Sequence, residues 1–183
     1  MKRFSSVLGA SCLILALAAC CVFATQIEYR SPIDLGRESP LVVRGRVTAL
    51  RSFWNNSGTK VFTEATVTVD ETYKGRRTGT VSVRQLGGVV GHVRVNVDGA
   101  PAWAEGEEVL LFLEPFDGTS FQVAGFSQGK YTVERDPDTG EPFVRGPSLD
   151  DVELIGAEGE TPLRLETGIM SLESFIDRAL GSE

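Results

Sequence analysis

Short segments in which every second residue is apolar run through the chain from residue 41 to residue 145. In residues 41–49, Leu41, Val43 and Val47 share one parity, whereas the other parity carries arginines and a threonine. Residues 60–70 repeat this alternation, with Phe62 on the polar parity. A period of two places successive side chains on opposite faces, as in a strand with one buried face. The alternation therefore predicts that β-strands form the basis of the fold.

Turn-forming residues separate these segments at regular intervals. Turns are predicted at residues 53–58, 74–79, 104–108 and 136–140, and further strands at residues 80–84, 109–113, 121–125, 130–134 and 143–145. Residues 109–113 are five consecutive apolar residues, which is typical of a central strand covered on both faces. The chain is therefore predicted to form a mainly β domain over residues 41–145. We expect a small antiparallel barrel, with a sandwich as the alternative.

Helical signals occur at the two ends of this domain. At the C-terminus, Ser171 is an N-cap, apolar residues recur at helical spacing, and Gly181 ends the helix. A helix this short is not stable alone in water, so residues 171–181 are predicted to pack on the barrel. Residues 25–40 form a lead-in that allows a short helix before Pro40. Residues 146–170 are predicted to form an irregular connector.

The N-terminus has the pattern of a secretory signal peptide over residues 1–24. Lys2 and Arg3 precede an uncharged apolar run, and small residues lead to a cleavage site after Ala24. A second interpretation stays open, because the residues before Cys20 resemble a bacterial lipobox, whose cysteine becomes a lipidated first residue. We expect an exported protein, periplasmic or extracellular, that meets a membrane only if it is a lipoprotein anchored through Cys20.

The positions of the cysteines limit the disulfide chemistry of the domain, and its net charge limits the classes of partner that it binds. All three cysteines, at positions 12, 20 and 21, lie in the predicted leader, so the domain itself is expected to fold without disulfides. The formal net charge is −7, and it becomes −9 once Lys2 and Arg3 leave with the leader. An acidic domain repels phosphate backbones, so nucleic acid is excluded as a partner.

Gly87 and Gly88, followed by the single histidine, His92, raise the question of a phosphate-binding or catalytic loop. A phosphate-binding loop requires a helix after its glycines, whereas valines alternate with polar residues through residues 93–97. The two glycines are therefore predicted to form a hairpin turn or a bulge, and His92 to face solvent from a strand. No nucleophile motif accompanies His92, so a hydrolase that uses it is kept only as an alternative.

Acidic residues do not form a metal-binding motif. Asp136 begins a stretch with oxygen-bearing side chains at alternate positions, as in a calcium loop, but the twelfth position is Pro147 instead of glutamate. His92 has no cysteine or second histidine to complete a zinc site. We therefore predict no metal, no cofactor and no catalytic residues.

Two tryptophans and two asparagines are the strongest candidates for ligand contact. Trp54, Asn55 and Asn56 lie in a predicted loop between strands, and Trp103 precedes a predicted turn. Aromatic and amide side chains on loops stack on sugar rings or anchor a protein partner. The alternative is that both tryptophans cap the open ends of the barrel and serve its core.

Several short motifs are similar to those of a known family. The motifs are VVRGRV at 42–47, TVTV at 66–69 leading to YKG at 73–75, TVSV at 80–83 and GEEVLLFL at 106–113. They resemble the netrin-like and tissue-inhibitor-of-metalloprotease domain. Taken together with residues 87–91 and 128–131, these motifs also resemble small exported bacterial proteins of unknown function. The resemblance implies an OB-type, five-stranded barrel with flanking helices.

The family's mode of protease inhibition does not carry over to this chain. Its inhibitors place an N-terminal cysteine on the protease zinc, whereas the predicted mature chain begins near Thr25 and has no cysteine. The function predicted first is an exported, non-enzymatic binding module that recognises a protein or glycan through barrel-end loops. A peptidase inhibitor of non-chelating type is the alternative that the resemblance favours.

Overall fold

A computed structural model describes residues 26–147, 153–155 and 170–181. The predicted signal peptide, Cys20 and most of the predicted connector lie outside these residues. Neither α-helix of the described residues has the length and apolar character needed to cross a membrane.

The described residues form twelve strands and two α-helices. The strands are β1 (Gln26–Glu28), β2 (Leu41–Trp54), β3 (Val61–Lys74), β4 (Thr80–Leu86), β5 (Gly88–Val90), β6 (Val93–Val95), β7 (Glu108–Asp117), β8 (Ser120–Val123), β9 (Lys130–Arg135), β10 (Pro142–Arg145), β11 (Glu153–Ile155) and β12 (Met170–Ser171). The α-helices are α1 (Pro32–Glu38) and α2 (Leu172–Leu180), and a 3₁₀ turn spans Phe126–Gly129. The protein is therefore mainly β, as predicted.

The largest sheet has eight strands in the order β12-β10-β9-β7-β2-β3-β4-β8. β7 pairs antiparallel with β2 and β9, and also with β8. β8 in turn pairs with β4 in parallel, through Val83 and Phe121. The sheet is mixed, so the prediction of a wholly antiparallel sheet is wrong. The chain turns back after β7, so β8 is antiparallel to β7 and runs in the same direction as β4, with which it pairs in parallel.

The core consists of two clusters that share β7. Leu110 and Phe112 face one cluster, in which Phe175 of α2 contributes a buried ring. Leu111 and Leu113 face the other cluster, among valines of β2, β3 and β4. Residues 109–113 are all fully buried, because apolar side chains cover both faces of this strand. The prediction of a central strand covered on both faces is confirmed.

The two helices pack on each other at one edge of the first cluster. α1 begins with a capping box in which Ser31 and Asp34 each bond the other's backbone N–H. α2 has Ser171 as its N-cap and buries Leu172, Phe175 and Ala179. The C-terminal helix and the short helix of the lead-in are thus present as predicted, and α2 packs as its apolar stripe requires.

Three local predictions differ from the structure. β2 continues to Trp54, so Phe53 and Trp54 belong to a strand and the loop comprises residues 55–60. The hairpin that follows β4 turns at Gly91 and His92, between β5 and β6, so His92 lies in a turn instead of a strand. The connector predicted to be irregular contains β11, which pairs in parallel with β1.

Gly88 explains why the glycine pair is not itself the hairpin turn. Its φ of 133° is a conformation that side-chain-bearing residues rarely adopt. A Cβ at Gly88 would also clash with the hydroxyl groups of Ser52 and Thr63. Glycine therefore lets β5 leave the main sheet and cross closely over β2 and β3.

Candidate functional site

Three phenylalanines form a partly exposed cluster on the outer face of the sheet, which we call the phenylalanine cluster (Phe53, Phe62 and Phe116). Phe116 is exposed, whereas Phe53 and Phe62 are half-buried. Phe53 and Phe62 are cross-strand partners, with ring centroids 6.3 Å apart and planes inclined by 29°. Phe116 meets Phe62 edge-on, with centroids 5.8 Å apart. Phe62 faces outward because its neighbour Val61 is buried in the core and strand side chains alternate.

Two arginines flank this cluster. The guanidinium carbons of Arg51 and Arg84 lie 5.2 and 5.6 Å from the centroid of the Phe53 ring, within cation–π range. Arg84 also forms ion pairs of 2.6 Å with Glu64 and with Asp117. The surface beside the phenylalanines therefore carries largely compensated charge.

The pKa values of both carboxyl groups reflect these contacts. The hydrogen bond from Arg84 holds the pKa of Glu64 below its usual value. Hydrogen bonds from Ser120 are the main cause of the lowered pKa of Asp117, and the nearby charge of Arg84 adds to them. Both side chains are therefore ionised at neutral pH, as their ion pairs with Arg84 require.

The loop at residues 55–60 lies beside the phenylalanine cluster. Asn55 shapes this loop, because its Oδ1 accepts hydrogen bonds from the backbone N–H groups of Thr59 and Lys60 at 2.8 and 2.9 Å. Asn56 is exposed. A shallow depression of about 400 Å³ joins both asparagines to the phenylalanine cluster. The structure therefore brings Asn55 and Asn56 together with an aromatic surface.

The two tryptophans do not join this depression. Trp54 ends β2 with 40% of its surface exposed, one residue on from Phe53 and so directed to the other face. Trp103 is half-buried against the second core cluster, and its indole N–H donates to Gln85 Oε1. Trp103 instead lines a separate, open depression. Its contacts match the alternative in which a tryptophan serves the core of the barrel.

The remaining candidates occupy ordinary turns. His92 is exposed in the turn between β5 and β6. Asp136 accepts hydrogen bonds from the backbone N–H groups of Asp138 and Thr139, at 2.9 and 2.8 Å, which is the chemistry of a hairpin turn. Within residues 26–147, 153–155 and 170–181, no group of three or more acidic, histidine or cysteine side chains is arranged to hold a metal ion.

Sequence reasoning missed Phe62, Phe116 and Arg84. For Phe62 a signal existed, because it is a large aromatic residue on the polar parity of its strand. An aromatic side chain there must either be covered by another element or remain exposed for a partner. Phe116 and Arg84 gave no comparable signal, because only the pairing of distant strands brings them to Phe62.

Comparisons with protein-family models, with curated proteins and with solved structures give no match to this chain. The resemblance to the netrin-like domain therefore stays a prediction.

Proposed function

We propose that this protein is an exported, non-enzymatic binding module with an OB-like barrel, and that it recognises a protein partner through loops and aromatic side chains at one end of the barrel. The observation that carries the proposal is the partly exposed phenylalanine cluster between the loop at residues 55–60 and the turn after β7. Contiguous apolar side chains that remain partly exposed are typical of interaction sites.

The strand pairings support the OB-like part of the proposal. The pairs β2 with β3, β3 with β4, β4 with β8, β8 with β7 and β7 with β2 form a ring of five strands. If these are strands one to five in chain order, then strands two and three are β3 and β4. OB folds bind ligands on the face of strands two and three and with the loops after strands one and four. Phe62, Arg84 and Asn56 lie in those positions.

A protein partner suits this surface better than a glycan. Phenylalanine has no polar group, and the nearby polar groups are largely engaged: Arg84 with Glu64 and Asp117, and Asn55 with its own loop. Protein interfaces are enriched in aromatic residues and arginine and depleted of unpaired charge at their centre. An aromatic surface beside an exposed amide also fits a sugar ring. Asn56 supplies such an amide, so a glycan is the second candidate ligand.

Affinity capture from an envelope fraction tests this proposal. We expect a protein to be retained by the wild-type chain and lost with Phe62→Ala, because the cluster loses its central ring. Val93→Ala removes exposed apolar surface elsewhere and is the matched control. Circular dichroism confirms that each variant is folded. A folded Phe62→Ala variant that retains every wild-type partner would overturn the proposal, whereas binding on a glycan array in place of proteins would favour the second candidate.

Peptidase inhibition of the non-chelating type is a special case of protein binding and has its own test. If a secreted metallo- or serine protease is the partner, the wild-type chain slows it and the Phe62→Ala variant does not. If His92 instead served a hydrolase, His92→Ala would abolish turnover of a substrate.

A further inference from the structure

A groove of about 420 Å³ opens where β4 and β8 separate. The two strands pair at Val83 and Phe121, and beyond this pair both residues 84–86 and residues 122–123 line the groove. Seven large apolar side chains are exposed in the described part of the chain, and three of them line this groove: Leu86, Phe116 and Phe126. Because Phe116 also belongs to the phenylalanine cluster, the groove continues the proposed binding surface.

On the side of β4 that faces away from β3, the backbone N–H and C=O groups of Leu86 have no strand partner among the described residues. The N–H of Gly87 donates to the carbonyl of Val61 at 2.9 Å, which makes these residues a hydrogen-bonded pair. Hydrogen-bonded and non-hydrogen-bonded pairs alternate along an antiparallel ladder, so the N–H and C=O of Leu86 point away from its partner Phe62. Among the described residues, β8 pairs with β4 at Val83 alone. Leu86 therefore presents the polar groups of an edge strand.

Phe126 displays its ring through a strained backbone. Its φ is 60°, and it is the single residue other than glycine with a positive φ in the described ranges. Such a conformation is costly for a residue with a bulky side chain, and strain of this kind concentrates at functional sites. The result is a phenylalanine that is 50% exposed at the rim of an apolar groove.

A buried glutamine holds the turn of Phe126 against the wall formed by residues 28–30. Gln128 is 3% exposed, and its Oε1 accepts from the N–H of Arg30 at 2.9 Å. Its Nε2 donates to the carbonyls of Glu28 and Gly125 at 2.8 and 3.2 Å. With both ends of the amide satisfied, Gln128 ties the turn of Phe126 to the backbone of residues 28–30.

We propose that the groove takes an extended peptide segment of the partner protein, which adds as a strand beside Leu86 of β4 and places an apolar side chain between Phe116 and Phe126. This inference rests on the proposed function and names its mode of recognition. In strand addition, main-chain hydrogen bonds supply affinity and pockets for alternate side chains supply specificity. The free edge of β4 and the adjacent apolar groove provide these two elements.

The charges along the groove disfavour an acidic segment. Arg30 is paired with Glu38 at 3.1 Å, and Arg84 is paired with Glu64 and Asp117. An acidic side chain entering the groove would lose water without gaining a free cation, and it would also meet Glu28 and Glu114, which line the groove. A glycan lacks the alternating N–H and C=O groups that match a strand edge, so a peptide with alternate apolar residues fits best.

Selection from a displayed library of random linear peptides, followed by fluorescence anisotropy with a selected peptide, tests this inference. We expect enriched peptides to carry apolar residues at every second position. Phe126→Asn should weaken binding about tenfold or more, and it removes the ring while keeping a residue that tolerates positive φ. Leu86→Pro should also weaken binding, because it removes the N–H directed at the groove and spares the ladder with β3. Val93→Ala should bind as the wild type does.

N-methylation of the selected peptide gives a readout that side-chain packing alone would not produce. We expect methylation to abolish binding at alternate residues and to be tolerated at the residues between them, because only every second N–H of an added strand faces β4. A uniform response, unchanged affinity in Phe126→Asn and Leu86→Pro, or no enriched peptide would overturn strand addition. Loss of partner capture with Phe62→Ala would still support the proposed function in each of these cases.

Discussion

The indole N–H of Trp103 donates a hydrogen bond of 2.5 Å to the side-chain oxygen of Gln85, which joins the segment before β7 to β4. The ammonium group of Lys130 lies 5.3 Å from the centroid of the same ring. These contacts hold Trp103 against the second core cluster, whereas Trp54 remains 40% exposed at the end of β2. The two tryptophans, which look alike in the sequence, therefore differ in what they contribute to stability.

Trp103→Phe should lower the free energy of unfolding by about 1–2 kcal/mol, because it removes the donor to Gln85 and keeps most of the ring. Trp54→Phe is the matched control and should change this free energy by less than about 0.5 kcal/mol. Urea denaturation followed by circular dichroism measures both. A larger loss in Trp54→Phe than in Trp103→Phe would contradict this assignment.

Gly36→Ala should destabilise the protein by about 2 kcal/mol or more, because a Cβ at Gly36 would clash with the backbone carbonyl of Ala179 in α2. The helices would have to move apart and expose the apolar face of α2. Gly79→Ala is the control, since nothing lies within 4 Å of a Cβ there. Thermal unfolding should show a lower Tm for Gly36→Ala and an unchanged Tm for Gly79→Ala. Equal Tm values for the two variants would contradict a close contact between the helices at Gly36.

Stability should fall as the pH is lowered from about 5 to about 3, in part because Glu64 titrates. Its pKa is lowered in the folded state by the hydrogen bond from Arg84. The stabilising contribution is therefore complete above the pKa of the unfolded state and is lost as the pH falls through the folded-state pKa.

The matched variant for this pH dependence is Glu64→Gln, which should show a shallower loss of stability in acid than the wild type. Glu141→Gln, at an exposed position, serves as the control and should keep the wild-type slope. Urea midpoints measured at a series of pH values provide the comparison. A slope in Glu64→Gln identical to that of the wild type would remove Glu64 from the explanation.

Lys130→Met should cost about 3–5 kcal/mol, because it leaves Glu107 without its cation in a largely buried place. Lys130 is 8% exposed and its Nζ lies 2.6 Å from Glu107 Oε1. The double variant Lys130→Met with Glu107→Gln should recover part of the loss, since the uncompensated charge is gone. A double-mutant cycle by urea denaturation measures the coupling. Strictly additive losses would show that the pair is not coupled.

Local signals predicted much of the fold. The period of two marked β2 and β3, five consecutive apolar residues marked the centre of β7, and Ser171 with Gly181 marked the ends of α2. Each of these signals depends on neighbours within a few residues, which is why the sequence alone carries it. The predicted loop at residues 53–58 overlaps the observed loop at residues 55–60, but β2 extends to Trp54, five residues beyond the predicted strand at residues 41–49.

The candidate site depended on strand pairing that no local signal describes. Phe53 meets Phe62 through the register of β2 and β3, and Phe116 reaches them because β7 pairs with both β2 and β8. The parallel pair of Val83 and Phe121 was likewise unpredicted, and among the described residues β8 does not pair with β4 beyond it.

The amino-acid sequence by itself determined the positions of the main strands, which face of β2 and β3 is buried, and where the terminal helix begins and ends. Only the tertiary structure decided which outward-facing side chains lie side by side, which tryptophan is held in place and where, within the described ranges, the edge of β4 has no strand partner. The physical reason is that burial is set by the alternation within one strand, whereas proximity on the surface is set by the register between strands that are distant in the chain.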